Sequence, residues 1–161
     1  MIKAAALLAA ALIPAQCGAA PPGNDVGGDG NPSTGFCEIS YEETAGGVRH
    51  RYPLLLDASL RLIAGKVICT CDRAPKSHHA TGVLQTRRPG AGQPWRDVDR
   101  QESSRIPRPK DSLFLRGHCD PRTVAYWRVQ VTVDGAGSDV DGNPNPFTAE
   151  DQSPNHRIEC P

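Results

Sequence analysis

An excess of charge of either sign is what this chain most clearly lacks. Its 161 residues carry 18 Lys and Arg against 18 Asp and Glu, so the formal net charge is zero. A protein that binds nucleic acid through phosphate contacts usually has a clear basic excess, so we expect no nucleic-acid partner. Intrinsic disorder is favoured by high net charge, so its absence favours a folded domain.

Aromatic residues are also scarce, at 5% of the chain, and all hydrophobic residues together make up 38%. We therefore expect a small core. Gly (16 residues) and Pro (15 residues) are frequent, which predicts many turns and disfavours long helices. A chain of this length has room for one compact domain.

The motifs of the common catalytic families are missing. The sequence contains no G-x-S-x-G, H-E-x-x-H, P-loop or G-x-G-x-x-G pattern. Its histidines are scattered, at His50, His78, His79, His118 and His156. We therefore expect a protein that is not an enzyme and that needs no cofactor.

The N-terminus has the layout of a secretory signal. Lys3 supplies a positive charge, residues 4–13 are an unbroken apolar run, and Gly18, Ala19 and Ala20 are small residues suited to cleavage. The run is too short to span a bilayer, which needs about 20 residues. We predict a signal peptide over residues 1–20, an extracellular protein, and no transmembrane segment.

Cys17 leaves an alternative open. Lipoproteins carry a cysteine just after the apolar run, and residues 14–17 (PAQC) have that outline. Gln16, however, stands where a small residue is expected, and Pro14 stands where Leu is expected. Secretion is therefore the prediction, and a lipid anchor through Cys17 on the outer face of the membrane is the alternative.

The next segment, residues 21–35 (PPGNDVGGDGNPSTG), has almost no side chain suited to a core. Its Gly, Pro, Asn and Asp content is typical of a flexible linker. Residues 36–161 remain, and they are predicted to form a single domain.

Within this domain, apolar residues alternate with polar ones more often than they follow a helical period. In residues 125–133, Trp127, Val129, Val131 and Val133 share one face, which predicts a half-buried antiparallel strand. Shorter strand candidates are residues 36–44, 66–71, 81–87, 95–98, 113–116 and 156–160. About seven short strands with frequent turns favour an all-β fold, a two-sheet antiparallel sandwich of the immunoglobulin-like type.

One stretch fits a helix as well as a strand. Leu56, Leu60, Ile63 and Val67 fall at i, i+4, i+7 and i+11. Gly65 and the β-branched residues that follow it favour the strand.

Five cysteines lie in the predicted domain, and in an oxidising compartment they are expected to form disulfides. If the strands alternate up and down, the start of one strand lies beside the end of the next. This order predicts a Cys119–Cys160 disulfide and a disulfide from Cys37 to either Cys71 or Cys69. One cysteine of the Cys69/Cys71 pair is then left over.

Two weaker hypotheses concern metal ions. Four residues that can bind zinc lie close together in the sequence, at Cys69, Cys71, His78 and His79. Oxygen ligands follow the spacing of a calcium loop, at Asp139, Asp141, Asn143 and Glu150. Pro144 stands where that loop needs Gly, and Cys-x-Cys is tighter than usual zinc spacing, so we expect no metal at either place.

A set of residues across 36–161 resembles a known group of proteins. They are Cys71-Asp72, Pro75, His78, Val83-Leu84-Gln85, Trp95, Val98, Cys119, Tyr126-Trp127-Arg128, residues 141–144 (DGNP), Phe147, Ser153-Pro154 and Cys160. The pattern is similar to the small exported cysteine-bearing β-sandwich proteins of high-GC Gram-positive bacteria. That resemblance implies an exported sandwich and no particular chemistry, since most of those proteins have no assigned activity.

The sequence thus predicts an exported binding or structural module whose partner is a cell-surface or extracellular protein or a glycan. The alternative is an exported metal-binding or thiol-based protein that uses Cys69, Cys71, His78 and His79.

Overall fold

The computed structural model describes residues 37–71, 73–107, 110–138 and 141–161. The predicted signal peptide and linker, with Cys17, lie outside these ranges, as does Asp139. Strands and turns make up the described residues, which confirms the all-β prediction. None of these residues forms a helix of the length and hydrophobicity that crossing a membrane requires.

Eleven strands are present in the described ranges, and all their pairings are antiparallel. In chain order they are β1 (Cys37–Ser40), β2 (Glu42–Ala45), β3 (Val48–Arg51), β4 (Leu54–Asp57), β5 (Leu62–Cys71), β6 (Ser77–Arg87), β7 (Arg96–Ser103), β8 (Lys110–His118), β9 (Val124–Ser138), β10 (Pro144–Gln152) and β11 (His156–Glu159).

The first sheet is built around β5. One edge of β5 pairs with β8, from Leu62 opposite His118 to Thr70 opposite Lys110. The other edge is shared by β4 and β1, which pair with the beginning and the end of β5. Because β5 has neighbours on both edges, most of its residues are buried.

The second sheet has the order β10-β9-β6-β7. β9 is its longest strand and pairs with β6 on one edge, and on the other edge first with β11 and then with β10. The outermost strands of this sheet are therefore β7 on one edge and β11 and β10 on the other.

The two sheets pack face to face through one hydrophobic core. The first sheet contributes Ile63, Val67, Leu113 and Leu115, and the second contributes Leu84, Trp127, Val129, Val131 and Val133. The four residues predicted to share the buried face of β9 are at most 2% exposed, so that prediction is confirmed. Small residues let the sheets approach closely, since a Cβ at Gly65 would lie 2.8 Å from Cγ2 of Val129.

β2 and β3 form a separate hairpin that turns at Gly46 and Gly47, both with positive φ. Glu43 ties this hairpin to β5, because its carboxylate accepts hydrogen bonds from Nζ of Lys66 and, at 2.6 Å, from the hydroxyl of Tyr52. The bond from Lys66, followed by that from Tyr52, lowers the pKa of Glu43. Burial, and then the bond to Glu43, raises the pKa of Tyr52 to about 12.

The ambiguous stretch from Leu56 to Val67 belongs to strands rather than a helix, as predicted, with a turn between them. β4 and β5 are joined by a turn, and Ile63 and Val67 are buried whereas Leu56 and Leu60 are exposed. The predicted first strand, 36–44, is broken at Tyr41. The hydroxyl of Ser40 accepts a hydrogen bond from the Glu42 amide, a local turn that separates β1 from β2.

The strand order is not the simple up-and-down order used to predict the disulfides. β8 lies beside β5 rather than beside its predecessor β7, so the chain crosses from one sheet to the other. Hydrophobic periodicity places a side chain on a face of a strand but carries no information about which strand lies next to it.

Candidate functional site

Two disulfides are present, and they join the predicted cysteines. Cys37 and Cys71 face each other directly in the register of β1 and β5, with their Cα atoms 3.9 Å apart. Cys119 and Cys160, just beyond the ends of β8 and β11, have Cα atoms 6.0 Å apart. Cys71, and not Cys69, is therefore the partner of Cys37.

Cys69 is the remaining thiol among the described residues, and it is 3% exposed. Burial, with a smaller effect of the negative charge of Asp111, raises the pKa of Cys69 to about 11. The thiol is therefore protonated at neutral pH. Since the thiolate is the nucleophile and the metal ligand, Cys69 is unreactive in the folded protein.

The suggested group of Cys69, Cys71, His78 and His79 is not assembled. Neighbouring residues of a strand point to opposite faces, so His78 enters the core while His79 points outward, with its Nδ1 2.9 Å from Oγ of Ser104. The sulfur of Cys71 is already bonded to Cys37.

A different group of soft ligands does come together. Among the residues that the structure describes, one group of potential metal ligands lies close together, that of Cys37, Cys71 and His78, hereafter the Cys–His cluster. Its two sulfur atoms and a nitrogen of the imidazole all lie within 4.8 Å of one another. The sequence hypothesis lacked Cys37, which lies 41 residues before His78 and reaches it only through the pairing of β1 with β5.

His78 is the most unusual member of this cluster. It is 4% exposed, and within the described residues neither ring nitrogen has a hydrogen bond of normal geometry. Burial lowers the pKa of His78, an effect that a backbone interaction with Arg105 and the charge of Asp111 only partly oppose. The imidazole is therefore neutral at pH 7, which is the form that binds metals.

The oxygen ligands of the suggested calcium loop do not converge in the part of the loop that the structure describes. Asp141 and Asn143 are exposed in the turn between β9 and β10. Glu150 lies well along β10, opposite Thr132 of β9. Pro144 begins β10, so the chain continues as an extended strand instead of curling around an ion.

A cavity of about 510 Å³ lies where β6 ends and β9 begins. The β6–β7 loop and the segment before β9 form its walls, and Val124, Ala125 and Trp127 contribute apolar surface. We call it the arginine cleft, because Arg87, Arg88 and Arg96 line it.

Positive charge in the arginine cleft is not neutralised. Asp120 is the only acidic residue among those that line it. Among the described residues, none of the three arginines forms an ion pair, although ion pairs occur elsewhere, for example between Lys66 and Glu43. An anion could therefore enter the cleft without having to displace an internal carboxylate.

Cation–π contacts with aromatic rings orient Arg87 in the cleft and the neighbouring Arg128. The guanidinium groups of Arg87 and Arg128 lie 4.8 Å and 4.3 Å from the ring centre of Trp95, and Arg87 also lies 5.5 Å from the ring of Tyr126. Burial, and then the charge of Arg87, lowers the pKa of Arg128. Such cation–π contacts orient a guanidinium without neutralising it, so its charge stays available to a ligand.

Two buried donors beside the cleft have no acceptor among the described residues. They are Nε of Arg87 and Nε1 of Trp127. A buried donor without an acceptor costs free energy.

Sequence reasoning missed the arginine cleft. The signal was present, because Arg87-Arg88-Pro89-Gly90 and Pro94-Trp95-Arg96 stand on either side of one turn. Basic and aromatic residues of a turn line a cleft only when another segment of the chain packs beside that turn. Here residues 119–125 do so, held by the Cys119–Cys160 disulfide and by a 2.8 Å hydrogen bond from the Cys160 amide to the Thr123 carbonyl.

The structure therefore has two candidate sites, and β6 links them, since it begins beside His78 and ends at Arg87. At about 3.3 Å per residue they lie about 30 Å apart. No protein-family model, no curated protein and no solved structure matches this chain.

Proposed function

We propose that the protein is an exported, non-enzymatic binding module with an immunoglobulin-like sandwich fold, and that its arginine cleft receives a carboxylate-bearing segment of an extracellular protein. The observation that carries the proposal is the set of three arginines without ion pairs around an apolar floor.

The order of the strands supports the immunoglobulin-like assignment. β1, β5 and β8 lie side by side, and the second sheet runs β7-β6-β9-β10. Immunoglobulin domains group strands A, B and E in one sheet and C′, C, F and G in the other, which is the same division in chain order. The β2–β3 hairpin, β4 and β11 are additions to that pattern.

The disulfides support the proposed export. Two of the five cysteines in residues 36–161 form one pair and two form another. Such bonds persist in oxidising compartments and are rare in the cytosol. They agree with the signal-like pattern of residues 1–20.

The chemistry of the cleft supports a carboxylate as the recognised group. An arginine guanidinium presents paired N–H donors that match the two oxygens of a carboxylate. Val124, Ala125 and Trp127 add an apolar surface for the rest of the ligand. A peptide with alternating acidic and aromatic side chains satisfies both features.

The proposal is tested by calorimetric titration with two blocked peptides, Glu-Phe-Glu-Phe and Gln-Phe-Gln-Phe. We expect the acidic peptide to bind and the neutral one to bind at least about tenfold more weakly, a difference of about 1.4 kcal/mol. Binding of the acidic peptide should weaken as salt is added, because the arginine charges are partly exposed. Equal binding of the two peptides would refute recognition of the carboxylate.

Variants of single arginines locate the binding site. Arg87→Gln and Arg96→Gln should each weaken binding of the acidic peptide by about tenfold, whereas Arg73→Gln, an exposed arginine away from the cleft, should leave it unchanged. Equal losses in all three variants would show non-specific attraction. Binding of an oligomer of uronic acid in place of the peptide would overturn the choice of a protein ligand.

A further inference from the structure

We infer that reduction of the Cys37–Cys71 disulfide converts the Cys–His cluster into a binding site for one zinc-type metal ion. The two cysteine sulfurs and an imidazole nitrogen of His78 would be the ligands. This inference is independent of the arginine cleft, which lies at the other end of β6.

The positions of the three ligand atoms support it. In tetrahedral zinc sites with Zn–S bonds of about 2.3 Å, the sulfur atoms are about 3.8 Å apart. In this cluster all the ligand atoms already lie within 4.8 Å of one another. Because Cys37 and Cys71 are directly opposite in the strand register, the backbone keeps their side chains together after the S–S bond is broken.

His78 provides a second, independent observation. A histidine that is 4% exposed normally has well-aligned partners for its ring nitrogens, yet among the described residues neither nitrogen has a hydrogen bond of normal geometry, and a backbone interaction with Arg105 only partly opposes the effect of burial on its pKa. A bound cation would satisfy one nitrogen of this ring.

The reaction balances with an external dithiol as the reductant. The dithiol gives two electrons and two protons to the Cys37–Cys71 bond, and it leaves as a cyclic disulfide while two protein thiols form. A divalent zinc-type ion then displaces the two thiol protons and binds the two thiolates. A disulfide oxidant that takes two electrons from the thiolates and two protons from solvent leaves as two thiols, reforms the Cys37–Cys71 bond and releases the metal, so the site is open only in the reduced protein.

The experiment uses the full chain in a Cys17→Ser background, with Co²⁺ as the probe and Zn²⁺ as the competitor. We expect the oxidised protein to bind no Co²⁺ at the cluster. After reduction with a dithiol and removal of the reductant, one Co²⁺ per chain should bind and give thiolate-to-cobalt charge-transfer absorption, which one equivalent of Zn²⁺ abolishes. The absence of that absorption in the reduced, folded protein would overturn the inference.

Two matched variants identify the ligands. His78→Phe keeps a ring of similar size in the core and should weaken Co²⁺ binding at least about a hundredfold. Cys69→Ala removes the buried thiol that lies outside the cluster and should leave the stoichiometry at one. If His78→Phe binds Co²⁺ as tightly as the parent, the site does not use the imidazole and the inference is wrong.

The inference can still be tested if reduction of the disulfides unfolds the chain. If the reduced chain unfolds, one equivalent of Zn²⁺ should restore the circular dichroism of the oxidised protein, since a ligand that binds only the folded state stabilises it. It should not do so for reduced His78→Phe. Failure of Zn²⁺ to refold the parent, or equal refolding of the variant, would overturn the inference.

Discussion

At the scale of single residues, Gly65 controls how closely the two sheets pack. A Cβ added there would lie 2.8 Å from Cγ2 of Val129, 3.2 Å from Cδ1 of Leu84 and 3.3 Å from Cβ of Leu115. We therefore expect Gly65→Ala to overpack the core and to lower the free energy of unfolding by about 1–3 kcal/mol. Urea unfolding followed by intrinsic fluorescence measures the change.

A second substitution tests whether the contact with Val129 is the cause. Val129→Ala removes the nearest methyl group, so the double variant should lose less stability than the sum of the two single losses. Simple additivity would show that the loss arises elsewhere.

Individual buried residues were largely predictable from the sequence. The alternation from Trp127 to Val133 identified the buried face of β9 because burial on one side of a strand imposes a period of two. The state of Cys69 was not predictable in the same way. Cys69 and Cys71 differ by two positions and share a face, and only the register with β1 brings Cys71 opposite Cys37.

At the scale of elements, the disulfides anchor strands that have few other attachments. Cys37–Cys71 holds the four-residue β1 against β5, and Cys119–Cys160 holds the end of the short β11 beside the start of β9. They join residues 34 and 41 positions apart. We expect Cys37→Ser and Cys119→Ser each to lower the free energy of unfolding by about 2–5 kcal/mol.

Cys69→Ala serves as the control for these two variants. It breaks no disulfide and should cost less, about 1 kcal/mol for the small volume that is lost. Ser is a poor control at this position, since its hydroxyl would be buried. A loss at Cys69→Ala equal to that at Cys119→Ser would contradict the assigned pairing.

The type of each element was easier to predict than its length. The helical spacing from Leu56 to Val67 arose because a turn separates two strands and places Leu56 and Leu60 in solvent. β6 and β7 extend further than their apolar segments, since polar residues such as Ser77 and Glu102 pair through the backbone. Backbone pairing does not depend on hydropathy, so the hydrophobic pattern of the sequence does not show where β6 and β7 begin and end.

At the scale of the whole molecule, the contact between the β2–β3 hairpin and the first sheet makes stability depend on pH. The pKa of Glu43 is lower in the folded protein than its ordinary value of 4.5. The unfolded chain therefore binds the proton more tightly, and the stabilisation by ionised Glu43 is complete above pH 4.5. It is lost as the pH falls through the lowered pKa of Glu43.

Two variants test this pH dependence. Glu43→Gln should cost about 1 kcal/mol at pH 7 and flatten the acid side of the stability profile, measured by urea unfolding from pH 3 to pH 7. Lys66→Met removes the largest cause of the shift and should also flatten it. If both variants keep the acid slope of the parent, another carboxyl group is responsible.

The arrangement of the sheets and the two candidate sites could not be predicted from the sequence. The Cys119–Cys160 pair, and a bond from Cys37 to one of Cys69 and Cys71, were predictable from strand alternation, because antiparallel pairing places the beginning of one strand beside the end of its neighbour. The crossover that brings β8 beside β5, and the cover that residues 119–125 place over Arg87 and Arg88, depend on three-dimensional packing between distant segments.

The outermost strands of the second sheet have a consequence for encounters between copies of the protein. Exposed strand edges can recruit a strand from another molecule and begin aggregation. β10 carries Pro144 and Pro146, which have no backbone N–H to offer, and the outer strand β7 alternates charges over residues 96–102 (RDVDRQE). β10 and β7 therefore disfavour edge-to-edge assembly, so copies of the folded chain in a concentrated solution are hindered from extending the second sheet into a fibre through these two strands.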